Sequence, residues 1–307
     1  MTDIVYVVGH KNPDTDSVCS AILYADLLNK RGIEARAAVQ GQINNETRFV
    51  LERFETEIPE NLTDATGKAI AVVDHSEIEQ APENFEPFNL VAVVDHHKLG
   101  TLQSSSPITY VAAPLGSTAS IIYGMYAHYG VEIETNLKGL MLASILSDTV
   151  ILKSPTTTEQ DKKIVEQLAD DLGISYEAFG KEQFNAKADI SGKSIEEVLE
   201  IDSKVYGTGK GKIAISQVEL SDLKPILAKK QEYLTKMREL MDRNGFLGFM
   251  LLVTDIINEG SELLIVSDNP AEFEIALKIK LEGGSAFVPG LMSRKKQILP
   301  LIDAHFK

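Results

Sequence analysis

Two six-residue words, AVVDHS at 71–76 and AVVDHH at 92–97, constrain the fold of this chain more than anything else in it. Each is a short β-branched run that ends abruptly in Asp-His. Such runs, bounded by polar turns, read as strands buried on both faces, and those occur in parallel sheets covered by helices. A third run, residues 4–8, leads into GHKNPDTDS, which carries His10, Asp14 and Asp16. Three strands would therefore deliver Asp and His side chains to their carboxyl ends, where open parallel sheets bind ligands. Four of the six histidines, His10, His75, His96 and His97, stand in this acidic company.

The rest of the first half supports that architecture. Helical spacing covers 17–28, with Ser17 as a plausible cap, and a second short strand is expected at 35–39. Further helices are predicted at 117–129, 136–146 and 158–172, the last behind the cap-like SPTTTEQD. Between 185 and 194 the small, polar NAKADISGKS is the best linker on the chain. The expected organisation is a first domain at 1–188, a linker at 189–193 and a smaller mixed-sheet α/β domain at 194–307. In that second domain strands are predicted near Val205 and at 213–218, 247–256 and 263–266. Helices are predicted at 221–241 and 271–281, and a Gly-rich strand region, GGSAFVPG, precedes SRKKQ.

Composition narrows the function classes. Of 307 residues, 44% are hydrophobic and 24% charged, which excludes disorder and low complexity. A formal charge of -15 repels polyanions and disfavours non-specific nucleic-acid binding. Cys19 is the only cysteine, so one chain can build neither a disulfide scaffold nor a thiolate zinc cluster, and a reducing, cytoplasmic setting fits. The N-terminus lacks a basic n-region and reads as a strand rather than a signal peptide. No apolar run approaches the roughly 18 residues of a membrane span.

The residues in the acidic words could carry metal chemistry. Imidazole with carboxylates suits Mn²⁺, Zn²⁺ or Fe²⁺. For GHKNPDTDS alone, an Asp-rich helix cap with a satisfied histidine is an equally open reading. Three Asp/His groups at three strand ends are hard to explain as caps, and a metal site becomes the better one. Asp148, in SDT, taken alone is a cap. His10, Asp14, Asp16, Asp74, His96 and Asp148 are too many ligands for one ion and suit a bridged pair, which activates a water and clamps a phosphoryl oxygen. Far along, Arg294, Lys295 and Lys296 concentrate cations in an acidic chain, with Lys204 in the same domain; they would suit a compact phosphate ligand. A solvated surface patch is the commoner meaning of such a triplet alone. Gly116, Ser117 and Thr118 look like a helix N-terminus able to bind an anion, although most such sequences are only caps.

The motifs GHKNPDTDS, VVDH, DHHK, SDT and SRKKQ, in that order over the whole chain, resemble those of the manganese-dependent family II inorganic pyrophosphatases of the DHH phosphoesterase superfamily. The resemblance implies an N-terminal parallel-sheet DHH domain with helices on both faces and a C-terminal substrate-binding domain. It implies hydrolysis of pyrophosphate to two phosphates by a hydroxide bridging two ions. His10 and Asp14 would hold the first Mn²⁺, Asp16 and His96 the second, and Asp74 and Asp148 would bridge or approach both. His97 would face the substrate as proton donor, and Lys204, Arg294 and Lys295 would bind its phosphates. Mg²⁺ would arrive with the substrate, Co²⁺ could replace Mn²⁺, and a homodimer would form through the N-terminal domain. The substrate would sit between domains, with 191–193 as hinge. Two departures sort the relatives: GGSAFVPG and SRKKQ stand where nucleases carry a GGGH-type motif, and His10 stands where exopolyphosphatases usually have Asn. An exopolyphosphatase or other DHH phosphoesterase, or a non-enzymatic metal-binding module, are the alternatives.

Overall fold

The computed structural model describes residues 4–187, 190 and 192–307. It divides into two compact units, Met1–Lys187 and Ala188–Lys307. Residues 189 and 191 of the expected linker lie outside the described residues.

The first unit is built on six parallel strands, β1 (Val5–Lys11), β2 (Ala35–Gln40), β3 (Glu60–Asn61), β4 (Ala69–Val73), β5 (Leu90–Asp95) and β6 (Thr109–Ala112), in the order β3-β2-β1-β4-β5-β6. Register pairs Val8 with Val72 and Val73 with Val94, so β1, β4 and β5 end side by side. His10, Asp74 and Asp95 are thereby brought to one edge of the sheet. Six helices follow the strands: α1 (Thr15–Lys30), α2 (Asn45–Arg53), α3 (Thr118–Tyr129), α4 (Thr135–Asp148), α5 (Glu159–Leu172) and α6 (Tyr176–Lys187). The other face of the sheet buries Val8, Ala38, Ile70, Val72, Leu90 and Val93 against Leu62 and Ala65, with Phe85, Leu102 and Ile108 packed alongside. That cluster contains no residue of α1 or α3, and the residues around it come from connecting segments such as 62–65, 85 and 102–108.

Helix α1 starts at Thr15, and its cap is Asp14, whose carboxylate accepts from the Ser17 N–H at 3.0 Å. The sequence placed the cap at Ser17. Pro13 and a carboxylate three residues before Ser17 make the earlier start the better-satisfied one. Helix α5 is held by a capping box of Thr158 and Asp161. At the junction of β1 and α1, a Cβ on Gly9 would lie 1.8 Å from Ser17 Oγ and 2.9 Å from its carbonyl oxygen. Gly9→Ala is therefore expected to destabilise the fold by about 1–3 kcal/mol, read as a lowered thermal midpoint. An unchanged midpoint would show that the junction yields freely.

After α4, Val150, Ile151 and Leu152 all adopt left-handed backbone, with φ of 50°, 54° and 63°. Two of the three are β-branched, for which this region is strained. Ile151 is held there by burial, its side chain packed where Gly180 leaves room for it.

The second unit has α7 (Ile195–Glu200), β7 (Lys204–Thr208), β8 (Gly211–Leu220), α8 (Lys224–Leu227), α9 (Lys230–Asn244), β9 (Gly248–Asp255), β10 (Gly260–Ser267), α10 (Pro270–Leu277), β11 (Ser285–Pro289) and α11 (Leu299–His305). Its sheet runs β11-β10-β9-β8-β7 and is mixed, with only β8 and β9 parallel. Alternation along the strands fills two cores. Phe249, Leu251 and Val253 face Met237 and Met241 of α9, whereas Met250 and Leu252 face Phe273, Ile302 and Phe306. The single helix expected at 221–241 is two, α8 and α9. Pro225 stands in the first turn of α8, where its missing N–H is no loss and helps the helix start at Lys224. The break comes at Lys229, which leaves helical backbone with φ of -111° and ψ of 21°. Among the described residues no helix is long and apolar enough to cross a membrane.

Candidate metal centre

Asp74 follows β4 with a left-handed φ of 63°, pinned by its N–H donating to Val94 O at 3.0 Å. That turn directs its carboxylate between two histidines. Oδ2 lies 3.5 Å from His10 Nε2, and Oδ1 lies 3.4 Å from His96 Nε2. Asp14 Oδ2 approaches His10 Nε2 at 3.5 Å, completing one group. Asp148 Oδ2 at 3.4 Å and Asp16 Oδ2 at 4.0 Å from His96 Nε2 complete the other. Ligand atoms about 2.1 Å from a common ion stand roughly 3.0–3.5 Å apart, so most of these spacings are those of coordination edges. Asp74 belongs to both groups, and to a third with His96 and His97.

The tautomers point the same way. His10 Nδ1 pairs with the Lys11 carbonyl at 2.9 Å and His96 Nδ1 with the Leu115 carbonyl at 3.0 Å. A carbonyl can only accept, so each Nδ1 carries the proton and leaves Nε2 as the ligand atom. Buried His96 Nε2 has no hydrogen-bond partner among the described residues while three carboxylates surround it. These donors fit a pair of divalent ions of the Mn²⁺ class.

Asp16 serves the fold as well as the site. Fully buried, it accepts from the hydroxyls of Ser20, Ser117 and Ser144 and from the N–H groups of Thr118 and Ala119. The anion at the α3 N-terminus is therefore this carboxylate, not a ligand from outside. Ser117 is nonetheless also the helix cap, through its own acceptance from Ala119.

Electrostatics show why cations belong here. Burial, reinforced by Asp16, pushes Asp74 up to about 6, and burial with the Asp16 and Asp74 charges raises Asp148. Burial would raise Asp16 too, but His96 and the serine and backbone donors hold it at about 2. Burial alone would lower both ligand histidines, yet Asp14 and Asp74 hold His10 at about 11, and Asp74 and Asp16 hold His96 at about 9. Protons thus occupy the ligand atoms that an ion would take.

His97 is half-exposed, and its Nδ1 pairs with Asp95 Oδ1 at 3.0 Å, so the bond to Asp95 does not engage Nε2. That bond raises its pKa. Asp95 as the orienting partner was not singled out from sequence, although its place two residues before His97 was the available signal. A cleft of about 1030 Å³ is lined by His10, Asp14, Asp74, His96, His97 and Asp148, together with 154–158. His75, whose place in this company sequence could not explain, is buried at its rim with Nδ1 on the Val73 carbonyl.

In the second unit Lys204 and Lys295 are exposed, whereas Arg294 is buried and engaged by Asp202 and Ile215. The surface patch expected for the triplet describes Lys295 and Lys296, both exposed, and not Arg294.

The N-terminal domain of the DHH family matches residues 4–145, and the DHHA2 domain matches 181–305. A manganese-dependent inorganic pyrophosphatase of Methanothrix thermoacetophila is 42% identical over 310 residues and all of both chains. A crystal structure from Methanococcus jannaschii, described as a family II inorganic pyrophosphatase, aligns with a TM-score of 0.63 at 41% identity, covering 98% of this chain and 99% of that one. An exopolyphosphatase-related protein from Bacteroides fragilis aligns with a TM-score of 0.52 at 11% identity, over 99% of this chain and 92% of that one, and shares the fold alone. The chain, a DHH domain followed by a DHHA2 domain, belongs to the manganese-dependent family II inorganic pyrophosphatases.

Proposed function

We propose that this chain hydrolyses inorganic pyrophosphate to two phosphates with two Mn²⁺ ions, one held by His10, Asp14 and Asp74 and the other by Asp16, Asp74, His96 and Asp148. The observation that carries this reading is the sharing of Asp74 between two ligand groups whose histidines both present Nε2. When bound, such a pair activates a water and neutralises phosphoryl oxygens. The protein's own part is to hold that geometry against mutual carboxylate repulsion and to manage protons. His97, fixed by Asp95 at Nδ1, gives a proton from Nε2 to the departing phosphate. Lys204, Arg294 and Lys295 bind the phosphates, and Mg²⁺ enters with the substrate. Co²⁺ can replace Mn²⁺. The protein works in the cytoplasm as a homodimer joined through the first unit, without nucleic acid or membrane as partner.

The test is phosphate release from pyrophosphate and tripolyphosphate by EDTA-stripped protein reloaded with Mn²⁺ and assayed in Mg²⁺. Mn²⁺-dependent turnover selective for pyrophosphate is expected. Preference for tripolyphosphate would move the chain to an exopolyphosphatase activity, and absence of turnover would leave a metal-binding module.

A further inference from the structure

We propose that Asp202 is a positioning residue for Arg294: it grips one end of the guanidinium and leaves the Nε–Nη2 edge as a fork for a phosphoryl group of the substrate. The proposal rests on the reading above, in which Arg294 takes a phosphate. Arg294 Nη1 donates to the main-chain carbonyl of Asp202 and, at 3.0 Å, to that of Ile215. Nη2 donates to Asp202 Oδ1 at 2.8 Å. Both Nη1 hydrogens are thus used, along with one of the two on Nη2. The remaining donors, Nε–H and the second Nη2–H, lie along one edge of the planar group and match two oxygens of a phosphate or carboxylate.

Nε is buried and has no partner among the described residues. An unpaired buried N–H beside a fully used end is the sign of a missing acceptor. The surroundings favour a phosphoryl group over a carboxylate: Lys204 is two residues beyond Asp202, Lys295 follows Arg294, and both ammonium groups are exposed.

Asp202 is built for this grip. Its φ of 40° lies in the left-handed region, a conformation Asp tolerates better than most residues. From there one residue offers both its carbonyl and its carboxylate to the same guanidinium. The other side of the arginine is equally fixed, since its N–H donates to Gln217 Oε1 at 3.2 Å while Gln217 Nε2 donates to the Met292 carbonyl at 3.0 Å. Little rotamer freedom remains to be lost when a phosphate arrives.

A purely structural corner staple would show the same bonds, so the test must separate the two roles. Asp202→Gly keeps the left-handed backbone and the carbonyl and removes only the carboxylate; Asp202→Asn keeps an acceptor oxygen as well. Affinity of the full-length, Mn²⁺-loaded protein for methylenediphosphonate is measured by calorimetry, alongside KM and kcat for pyrophosphate. D202G is expected to weaken analogue binding and raise KM by about tenfold with a smaller change in kcat, D202N to recover to within about threefold, and D202G to add less than about twofold in an Arg294→Ala background. If R294A weakens the analogue and D202G does not, or if D202G weakens it further without Arg294, the positioning role is overturned. If R294A itself leaves analogue affinity unchanged, the assignment of a phosphate to Arg294 is what fails.

Discussion

Replacing Asp74 by asparagine is expected to lower phosphate release by a factor of about 10³ or more, the scale on which removal of one preorganised charge-stabilising group acts. The variant should also lose both ions. Asp74 alone belongs to all three ligand groups, with one oxygen toward His10 and the other toward His96. Asparagine keeps the volume and an oxygen for the Thr118 hydroxyl, which donates to Asp74 Oδ1 at 3.0 Å, so the fold should survive. Asp148→Asn touches only the group around His96 and should lose one ion rather than two. Metal content of the purified variants decides the matter together with rate. A D74N protein that retains two Mn²⁺ and parental turnover would remove the shared ligand from the mechanism.

The second large effect is on pH. Below about pH 9 the ligand nitrogen of each histidine in the stripped protein holds a proton, since the carboxylates around them outweigh burial and place His10 at about 11 and His96 at about 9. Each ion must displace one such proton, so Mn²⁺ affinity should rise about tenfold per pH unit for each site between pH 7 and 8.5. Near pH 7.5 each histidine should release its proton on loading, and Asp148, raised by burial and its carboxylate neighbours, adds to that release, a quantity read directly by pH-stat. Stability has the opposite sign without metal. A raised histidine contributes stability that is fully present below its unfolded value of about 6.5 and lost as pH climbs toward the folded values. The thermal midpoint of stripped protein should therefore fall with rising pH while the shift caused by Mn²⁺ grows. Metal binding that is independent of pH and releases no protons would contradict this account.

The strands that end in AVVDH were legible because an abrupt change from β-branched to ionisable residues is a local signal, and parallel register then aligns the ends without further information. Asp148 was not legible by itself. As the last residue of α4 it looks like a cap, and only the packing of that helix sets it 3.4 Å from His96. The grip of Asp202 on Arg294 spans 92 residues and leaves no local trace. Helices α2 and α6 escaped for another reason. Each is short and bounded by polar sequence, and α6 buries Phe179, Gln183 and Phe184 in the middle of what composition reads as the approach to a linker. In the second unit the helical pattern breaks at Lys229, four residues beyond Pro225, where the charge periodicity gives no sign of it.

The five donors on Asp16 make the ligands unequal as experimental handles. Asp148 reaches the cleft from the end of α4, so a change there reports on the ion it touches, whereas Asp14 also caps α1 through the Ser17 N–H and only a capping residue such as Asn or Ser there would keep that cap. Asp16 is a knot between α1, α3 and α4, tied by hydroxyls of Ser20, Ser117 and Ser144. Truncating it strands those donors in the interior, and the resulting loss of activity would describe folding rather than catalysis. Any effort to redesign this centre for a different ion has its freedom at Asp148, must keep a capping side chain at Asp14 and must treat Asp16 as part of the scaffold.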